Sequence, residues 1–186
     1  MRIIAGEFRG HRLAALGKGD AGAHLRPTTD RVRESLFSIL TGGRFGDPLE
    51  GAVVLDLFAG TGALGLEALS RGAAQATFVD DGRVAGRLLA ENIRELGVKD
   101  RTKILRASAT RMPLCADAPA TLVFLDPPYG KSLGEPALAS ALSQGWIDDS
   151  ALIVWEESAE ITPPEGWDIL DRRRFGDSAM SFLEKA

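Results

Sequence analysis

The stretch AVVLDLFAGTGALG (residues 52–65) joins an apolar run to a glycine-rich turn. Gly60, Gly62 and Gly65 have the spacing G-x-G-x-x-G, which is typical of a turn between a strand and a helix that a nucleotide-like ligand approaches closely. The pattern predicts a buried strand, a tight turn and a helix whose electropositive amino end faces the ligand. The spacing alone leaves open whether that ligand is a dinucleotide or another adenosine compound.

Short apolar runs alternate with helix-like stretches from residue 52 onward. The predicted strands cover residues 52–58, 76–80, 102–107, 121–126 and 151–157. The predicted helices between them cover residues 63–71, 83–96 and 133–144. Apolar strands separated by helices indicate a parallel sheet covered on both faces, which is a doubly wound α/β fold. Two last runs, 167–174 and 178–184, are too close for a helical crossover and predict an antiparallel hairpin at the C-terminal edge of the sheet.

The beginning of the chain differs from the rest in charge. Residues 1–33 carry seven basic and three acidic residues, a net charge of +4 that leaves −8 for the rest of a chain with a total of −4. This asymmetry predicts an anion-binding extension on an acidic body. Residues 1–42 are expected to form this extension as a small hairpin, a glycine-rich loop and a helix that ends at Gly42.

Length and composition indicate one compact unit. The 186 residues, 45% of them hydrophobic, suffice for one substantial core. No apolar run approaches the roughly 20 residues of a membrane span, so we expect a cytoplasmic protein. Because Cys115 is the single cysteine, an internal disulfide and a cysteine-rich metal site are excluded, and we expect no metal.

Acidic residues end several predicted strands, where ligands of doubly wound sheets bind. Asp80 lies 20 residues after Gly60, the distance at which an acid contacts ribose hydroxyls. An NAD site and an S-adenosylmethionine site share these two features. The choice between them therefore depends on the other strand ends.

The stretch FLDPPYG (residues 124–130) follows the fourth predicted strand and favours S-adenosylmethionine. Pro127 and Pro128 have no N–H donors, so carbonyl oxygens and the Asp126 carboxylate form an acceptor-rich turn. Such a turn can accept both hydrogens of an exocyclic amine and direct the nitrogen lone pair at an electrophile. Tyr129 offers an aromatic ring on which a flipped base can stack.

Two pairs of motifs together resemble a known family. DLFAGTGALGLEALSRGA and FLDPPY are similar to class I S-adenosylmethionine-dependent methyltransferases that modify exocyclic amines. RIIAGEFRG and LRPTTDRVRESLFSIL narrow the resemblance, over nearly the whole chain, to the RsmD family of bacterial small-subunit ribosomal RNA guanine-N2 methyltransferases. The resemblance implies a Rossmann-like methyltransferase domain over residues 43–186, preceded by an RNA-contacting extension over residues 1–42.

The resemblance also implies the site residues. The cofactor is expected to contact Asp56, Phe58, Gly60, Gly62, Asp80, Asp81, Ser108 and Thr28. The target guanine is expected at Asp126, Pro127, Pro128 and Tyr129. The phosphates of ribosomal RNA in an assembling subunit are expected at Arg9, Arg12, Arg26, Arg31 and Arg33. Two positions depart from the family, because Gly82 stands where an acid usually does and Ser108 stands where an Asp or Asn usually reaches the adenine amine.

The implied reaction is a direct methyl transfer in which Asp126 orients the amine and stabilises its developing charge. A covalent route through Cys115 is disfavoured because that cysteine lies outside the D-P-P-Y turn. Other readings stay open at this point. They are an amino-methyltransferase acting on adenine or cytosine in DNA or on a glutamine amide, a non-catalytic RNA-binding relative, and an NAD oxidoreductase.

Overall fold

A computed structural model of the chain describes residues 1–15 and 29–186, and these residues contain a seven-stranded sheet. The strands are β1 (Val53–Leu57), β2 (Gln75–Val79), β3 (Thr102–Leu105), β4 (Ala120–Leu125), β5 (Ile147–Glu157), β6 (Trp167–Phe175) and β7 (Ser178–Lys185). The helices are α1 (Asp30–Leu40), α2 (Ala63–Ser70), α3 (Arg83–Leu96) and α4 (Gly134–Ser143). Within the described ranges, no helix is long and apolar enough to cross a membrane.

The strand order β3-β2-β1-β4-β5-β7-β6 confirms the predicted fold class. Strands β1 to β5 pair in parallel, and β7 pairs antiparallel with both β5 and β6, which makes the predicted hairpin at the edge. The order reverses between β1 and β4. A doubly wound sheet binds its ligand at that reversal, beyond the carboxyl ends of the strands.

Two hydrophobic clusters cover the two faces of the sheet. One contains Phe78, Phe124 and Phe182 of the sheet together with apolar residues of α1, α2 and α3. The other contains Leu55 and Leu57 of β1 with apolar residues of α4. Because successive strand residues point to opposite faces, each strand supplies both clusters, and burial of both faces provides most of the stabilisation.

Strand β5 is longer than the sequence-based prediction because polar residues continue it. Strand β5 begins at Ile147, four residues before the predicted start, and crosses the polar segment Asp148-Asp149-Ser150, in which Asp149 and Ser150 are exposed. Ile147 pairs with Ala120 of β4, and the register then shifts before Leu122 pairs with Leu152. Pairing with a neighbour, rather than apolar patterning, extends this strand, and the local pattern could not reveal it.

The amino-terminal segment packs against the carboxyl end of α2. One bridge, Arg2 to Arg12, closes the predicted hairpin. The backbone N–H groups of Ile4 and Ala5 donate to the Glu67 carboxylate at 2.8 and 3.0 Å. Gly6 has φ of +83°, and a Cβ there would overlap the carbonyl of Ser70. This glycine therefore permits the close approach of the hairpin to the helix.

Arg33 takes part in the same contact, and the expectation that it faces outward to hold RNA phosphates is wrong. Its side chain is 0% exposed, and its Nη2 donates to the Arg2 carbonyl at 2.7 Å and to Asp30 at 2.6 Å. Its Nη1 lies 3.5 Å from Glu67, which is also 0% exposed. A buried carboxylate requires paired cations, and Arg33 supplies this charge together with Arg71, whose Nε lies 2.7 Å from Glu67 Oε1.

Replacing Arg33 is expected to destabilise the protein. Arg33→Ala removes one of the two arginines that pair with the buried Glu67 and leaves Arg71, and we expect the free energy of unfolding in urea to fall by about 1–3 kcal/mol. Arg31→Ala is the matched control, because Arg31 is exposed on the same helix, and its effect should stay within about 0.5 kcal/mol. Equal losses for the two variants would contradict the structural role of Arg33.

Candidate functional site

A cleft of about 1,510 Å³ opens at the carboxyl ends of the parallel strands. Most of the predicted site residues line it, namely Asp56, Phe58, Gly60, Asp80, Asp81, Ser108, Asp126, Pro127, Pro128 and Tyr129. Gly62 lies at the start of α2, as its N-cap. Two predicted residues, Arg26 and Thr28, lie outside the described residues. The sheet thus brings the glycine turn and the D-P-P-Y turn to one cleft.

The glycines serve the shape of the turn and the packing of α2. Gly60 and Gly62 have φ of +56° and +81°, in the left-handed region that favours glycine. A Cβ on Gly62 would overlap the Leu89 side chain, and a Cβ on Gly65 would overlap the Phe78 ring. The spacing G-x-G-x-x-G therefore lets helix α2 approach β2 and α3 at close range.

Carboxylates of the chain itself accept hydrogen bonds from the glycine turn. Asp56 Oδ2 accepts from the N–H of Gly65 and Asp80 Oδ2 accepts from the N–H of Gly60, both at 2.9 Å. The N–H of Gly62 donates to the carbonyl of Ala59. These N–H groups, which the sequence pattern suggested for a ligand, instead fix two acidic side chains at the cleft.

Burial changes the acid–base properties of these two carboxyl groups. Burial raises the pKa of Asp56 to about 7, with the Gly65 N–H acting in the opposite direction and the Asp80 charge adding to the rise. Burial also raises the pKa of Asp80, and its bonds from Gly60 and Gly82 partly offset the effect. A cationic ligand would favour the charged form of both groups.

The two family departures lie at the end of the cleft near Asp80. The N–H of Gly82 donates to Asp80 Oδ1 at 2.8 Å, and a Cβ on Gly82 would lie 2.9 Å from that oxygen. The Ser108 hydroxyl shares a hydrogen bond of 2.9 Å with the Thr110 hydroxyl. This end of the cleft therefore offers small hydroxyl groups, and Asp81 is exposed at its rim.

The D-P-P-Y turn is fixed to the sheet on two sides. The N–H of Asp126 donates to the Leu57 carbonyl at 3.4 Å, beside Phe58, whose φ of +61° is strained for a residue with a side chain. Tyr129 donates its hydroxyl to Glu156 Oε1 at 2.9 Å. Burial, and then the charge of Glu156, raises the pKa of the Tyr129 phenol.

Two residues at or beside the cleft have no role in the sequence-based prediction, although Glu156 is one of the acids that end predicted strands. Glu156 is 6% exposed at the end of β5 and lines the cleft. Asn92 is buried on α3, where its Oδ1 accepts from the N–H of Ala14 at 2.6 Å and its Nδ2 donates to the Thr61 carbonyl at 2.9 Å. Asn92 thus links the amino-terminal segment to the glycine turn. The sequence pattern that could have indicated it is a polar residue on the apolar face of a predicted helix.

The exposed arginines of the amino-terminal segment and of the edge strand β6 lie outside the cleft. Arg9, Arg12 and Arg31 are exposed, as predicted for residues that meet phosphates. Arg172 donates to the Ile161 carbonyl and Arg173 pairs with Asp171 on the edge strand β6. In residues 1–15 and 29–186, no three His, Cys, Asp or Glu side chains form a group that could hold a metal ion.

Comparison with known proteins agrees with this geometry. The family model described as "Conserved hypothetical protein 95" matches residues 1–184. Ribosomal RNA small subunit methyltransferase D of Escherichia coli K12 is 35% identical over 188 residues, covering 100% of this chain and 90% of that protein. The chain belongs to the RsmD family. The family resemblance seen in the sequence motifs is therefore confirmed.

Further members of the RsmD family and a solved structure show the same similarity. The protein of the same name from Haemophilus influenzae is 34% identical, covering 95% of this chain and 89% of its own length. The solved structure of the putative methyltransferase yhhF from Escherichia coli superposes with a TM-score of 0.81 at 35% identity, covering 100% of this chain and 97% of that one.

The ionisation of Asp56 should affect stability with a definite sign. Its pKa of about 7 in the folded protein lies above the unfolded value of 3.8, so the native state holds a proton that the unfolded state has lost between these pH values. Stability should therefore fall as pH rises from about 4 to about 7. Asp56→Asn should reduce this slope in urea unfolding measured between pH 5 and 8. Asp149→Asn, at an exposed site, is the control, and equal slopes in both variants would contradict the burial effect.

Proposed function

We propose that this protein transfers a methyl group from S-adenosylmethionine to the exocyclic N2 of a guanine in small-subunit ribosomal RNA. The observation that carries the proposal is the shared cleft of the glycine turn and the Asp126-Pro127-Pro128-Tyr129 turn. Membership of the RsmD family and the names of the relatives in E. coli and H. influenzae support the ribosomal RNA substrate.

The charges of the cleft support S-adenosylmethionine over a dinucleotide. Five acidic residues line it, and two basic ones, Arg83 and Lys131. Asp56 and Asp80 face the glycine turn, where a dinucleotide would put its pyrophosphate. S-adenosylmethionine has a sulfonium and an ammonium group at physiological pH, which these carboxylates would stabilise. We assign the methionine moiety to Asp56, Phe58 and the turn.

The adenosine moiety is assigned to the neighbouring strand ends. Asp80 has one oxygen bonded to Gly60 and the other to Gly82, and a carboxylate has about four lone-pair positions. It can therefore keep these bonds and also accept a ribose hydroxyl. Ser108 and the exposed Asp81 complete the contact at the adenine end of the cleft.

Residues of the D-P-P-Y turn prepare the amine for reaction. Asp126 and the Pro127 carbonyl accept the two N2 hydrogens, which localises the nitrogen lone pair and directs it towards the cofactor. S-adenosylmethionine, held by Asp56, Phe58 and the turn, would supply an electrophilic methyl group, with the electron pair of the broken carbon–sulfur bond retained on sulfur. Asp126 stabilises the positive charge on nitrogen, and the extra proton passes to Asp126 or to water. Tyr129 stacks against the base, aligned by its bond to Glu156.

The basic extension, residues 1–42, is assigned to the RNA backbone. Arg9, Arg12 and Arg31 are exposed and can pair with phosphates without reading sequence. Met1, Ala15, Thr29 and Val32 line the same cleft as the D-P-P-Y turn. The extension can therefore hold the RNA while the target base enters the cleft. Its substrate would be RNA in an assembling subunit, in the cytoplasm.

Loss of the Asp126 carboxylate should remove catalysis and spare cofactor binding. We expect Asp126→Ala to lower the rate of methyl transfer on the order of 10²–10³-fold, with the affinity for S-adenosylmethionine nearly unchanged in calorimetry. Asp149→Ala, at an exposed site distant in sequence, should retain the wild-type rate. Normal turnover by Asp126→Ala would contradict its assigned role.

Nucleoside analysis of the methylated RNA identifies the substrate atom. We expect N2-methylguanosine after incubation of small-subunit RNA with the protein and S-adenosylmethionine. N6-methyladenosine or N4-methylcytidine in its place would contradict the guanine assignment. Binding of NAD, with none of S-adenosylmethionine, would contradict the cofactor assignment.

The exposed arginines should determine how RNA binding depends on salt. Each lost phosphate contact should lower the slope of log affinity against log salt by roughly 0.7–0.9. We expect this decrease for Arg9→Gln, Arg12→Gln and Arg31→Gln in RNA binding measured from 50 to 300 mM KCl. Arg94→Gln, an exposed arginine on α3, is the matched control. An unchanged slope in the triple variant would contradict the phosphate assignment.

A further inference from the structure

Glu156 and Asp126 lie side by side at the carboxyl edge of the sheet. Leu125 of β4 pairs with Trp155 of β5 in parallel register, so the next residue of each chain segment is again a neighbour. Adjacent strands are about 4.8 Å apart, and residues in register point to the same face. Both side chains line the cleft, which therefore contains two adjacent carboxyl groups at the proposed position of the base.

The second carboxyl group is not required for capturing the amine. An exocyclic amine has two hydrogens, and Asp126 and the Pro127 carbonyl already accept both in the proposed reaction. Glu156 accepts the Tyr129 hydroxyl at 2.9 Å, and a carboxylate, with roughly four lone-pair positions, can accept more than one hydrogen bond. The charges of Glu156 and Asp126 both act on this phenol, where they follow burial in raising its pKa. The two carboxylates thus face the same region of the cleft.

The atom beside the amine distinguishes guanine from the other amino bases. In guanine, two ring nitrogens flank the carbon that bears the exocyclic amine: N1 carries a hydrogen, and N3 carries a lone pair. In adenine and in cytosine, the corresponding ring nitrogen, N1 or N3, carries a lone pair. A carboxylate on the N1 side of the amine therefore accepts a hydrogen bond from guanine, and a carboxylate beside the ring nitrogen of adenine or cytosine meets a lone pair and repels the base.

We infer that Glu156 is the residue that selects guanine, by accepting its N1–H beside the amine that Asp126 holds. This inference rests on the proposed function and names its specificity-determining residue. The same carboxylate accepts the Tyr129 hydroxyl, and this bond fixes the ring on which the base stacks. A site that is built to accept an N–H rejects an analogue that lacks it, because a buried acceptor would then face a lone pair.

A base analogue tests this inference with the wild-type protein. The methylated guanine is first located by mass spectrometry, and RNA is then prepared with 2-aminopurine at that position. This base keeps the N2 amine, has a lone pair at N1 in place of the N–H, and lacks the O6 oxygen, so the Glu156 variant below is needed to assign the effect to N1. We expect kcat/KM for 2-aminopurine RNA to be lower than for guanine RNA on the order of 10²–10⁴-fold. Similar kcat/KM values for the two RNAs would overturn the inference.

Variants separate base selection from a merely structural role. Glu156→Gln has nearly the same shape and can donate its amide N–H to the N1 lone pair, so the preference for guanine over 2-aminopurine should fall at least tenfold. Tyr129→Phe removes the phenolic hydroxyl and keeps both the ring and the Glu156 carboxylate. The rates for guanine RNA and for 2-aminopurine RNA should then both fall, and their ratio should stay unchanged. Calorimetry with S-adenosylmethionine checks that each variant binds the cofactor.

The outcomes distinguish this inference from the proposed function. Glu156→Gln overturns the inference alone if it lowers both rates by the same factor, because Glu156 would then only support Tyr129. Absence of N2-methylguanosine with the wild-type protein overturns the proposed function and the inference with it. A reduced preference in Glu156→Gln, with an unchanged preference in Tyr129→Phe, supports the assignment of Glu156 to the N1–H.

Discussion

The hydrogen bond from the Gly65 N–H to the buried Asp56 carboxylate, 2.9 Å long, is the contact on which the site depends. It requires α2 to lie so close to β1 that position 65 has no room for a Cβ beside the Phe78 ring. This approach fixes the angle between strand and helix, and hence the position of the glycine turn. Because Asp56 ends up almost without solvent, its ionisation is costly. A cationic ligand offsets that cost, so the feature that shapes the turn also favours the ligand.

Helix α2 connects the glycine turn to the amino-terminal hairpin. Its amino end follows the glycine turn, and near its carboxyl end Glu67 and Ser70 bind the amino-terminal hairpin. Asn92 connects the two from α3, with one hydrogen bond to each of Ala14 and Thr61. The segment that leads to the proposed RNA contacts is therefore held by the elements that form the glycine turn, the proposed cofactor site. A rigid connection of this kind positions two ligands relative to each other.

Local patterns in the sequence predicted the elements and the two functional turns. The strands, the helices and the position of FLDPPYG after a buried strand depend on residues close together in the chain, and the structure agrees with them. Contacts between distant residues could not be predicted in this way. Arg33 turns inward because Glu67, 34 residues later, is buried without solvent. Tyr129 meets Glu156 because β4 and β5 pair in a particular register.

Negative and positive charges lie in different parts of the molecule. This separation explains how an acidic chain with a dinucleotide-like turn can favour a cationic ligand at that turn and still bind RNA elsewhere. Asp56 and Asp80 accept hydrogen bonds from N–H groups of the turn that a pyrophosphate would need. Their carboxylates also make this end of the cleft unfavourable for phosphates. The extension has exposed arginines outside that region, namely Arg9, Arg12 and Arg31. Phosphates are therefore attracted to the outside of the cleft and repelled from the turn. An RNA that binds the extension can present its neutral bases, but not its backbone, to the acidic interior where Asp126 lies.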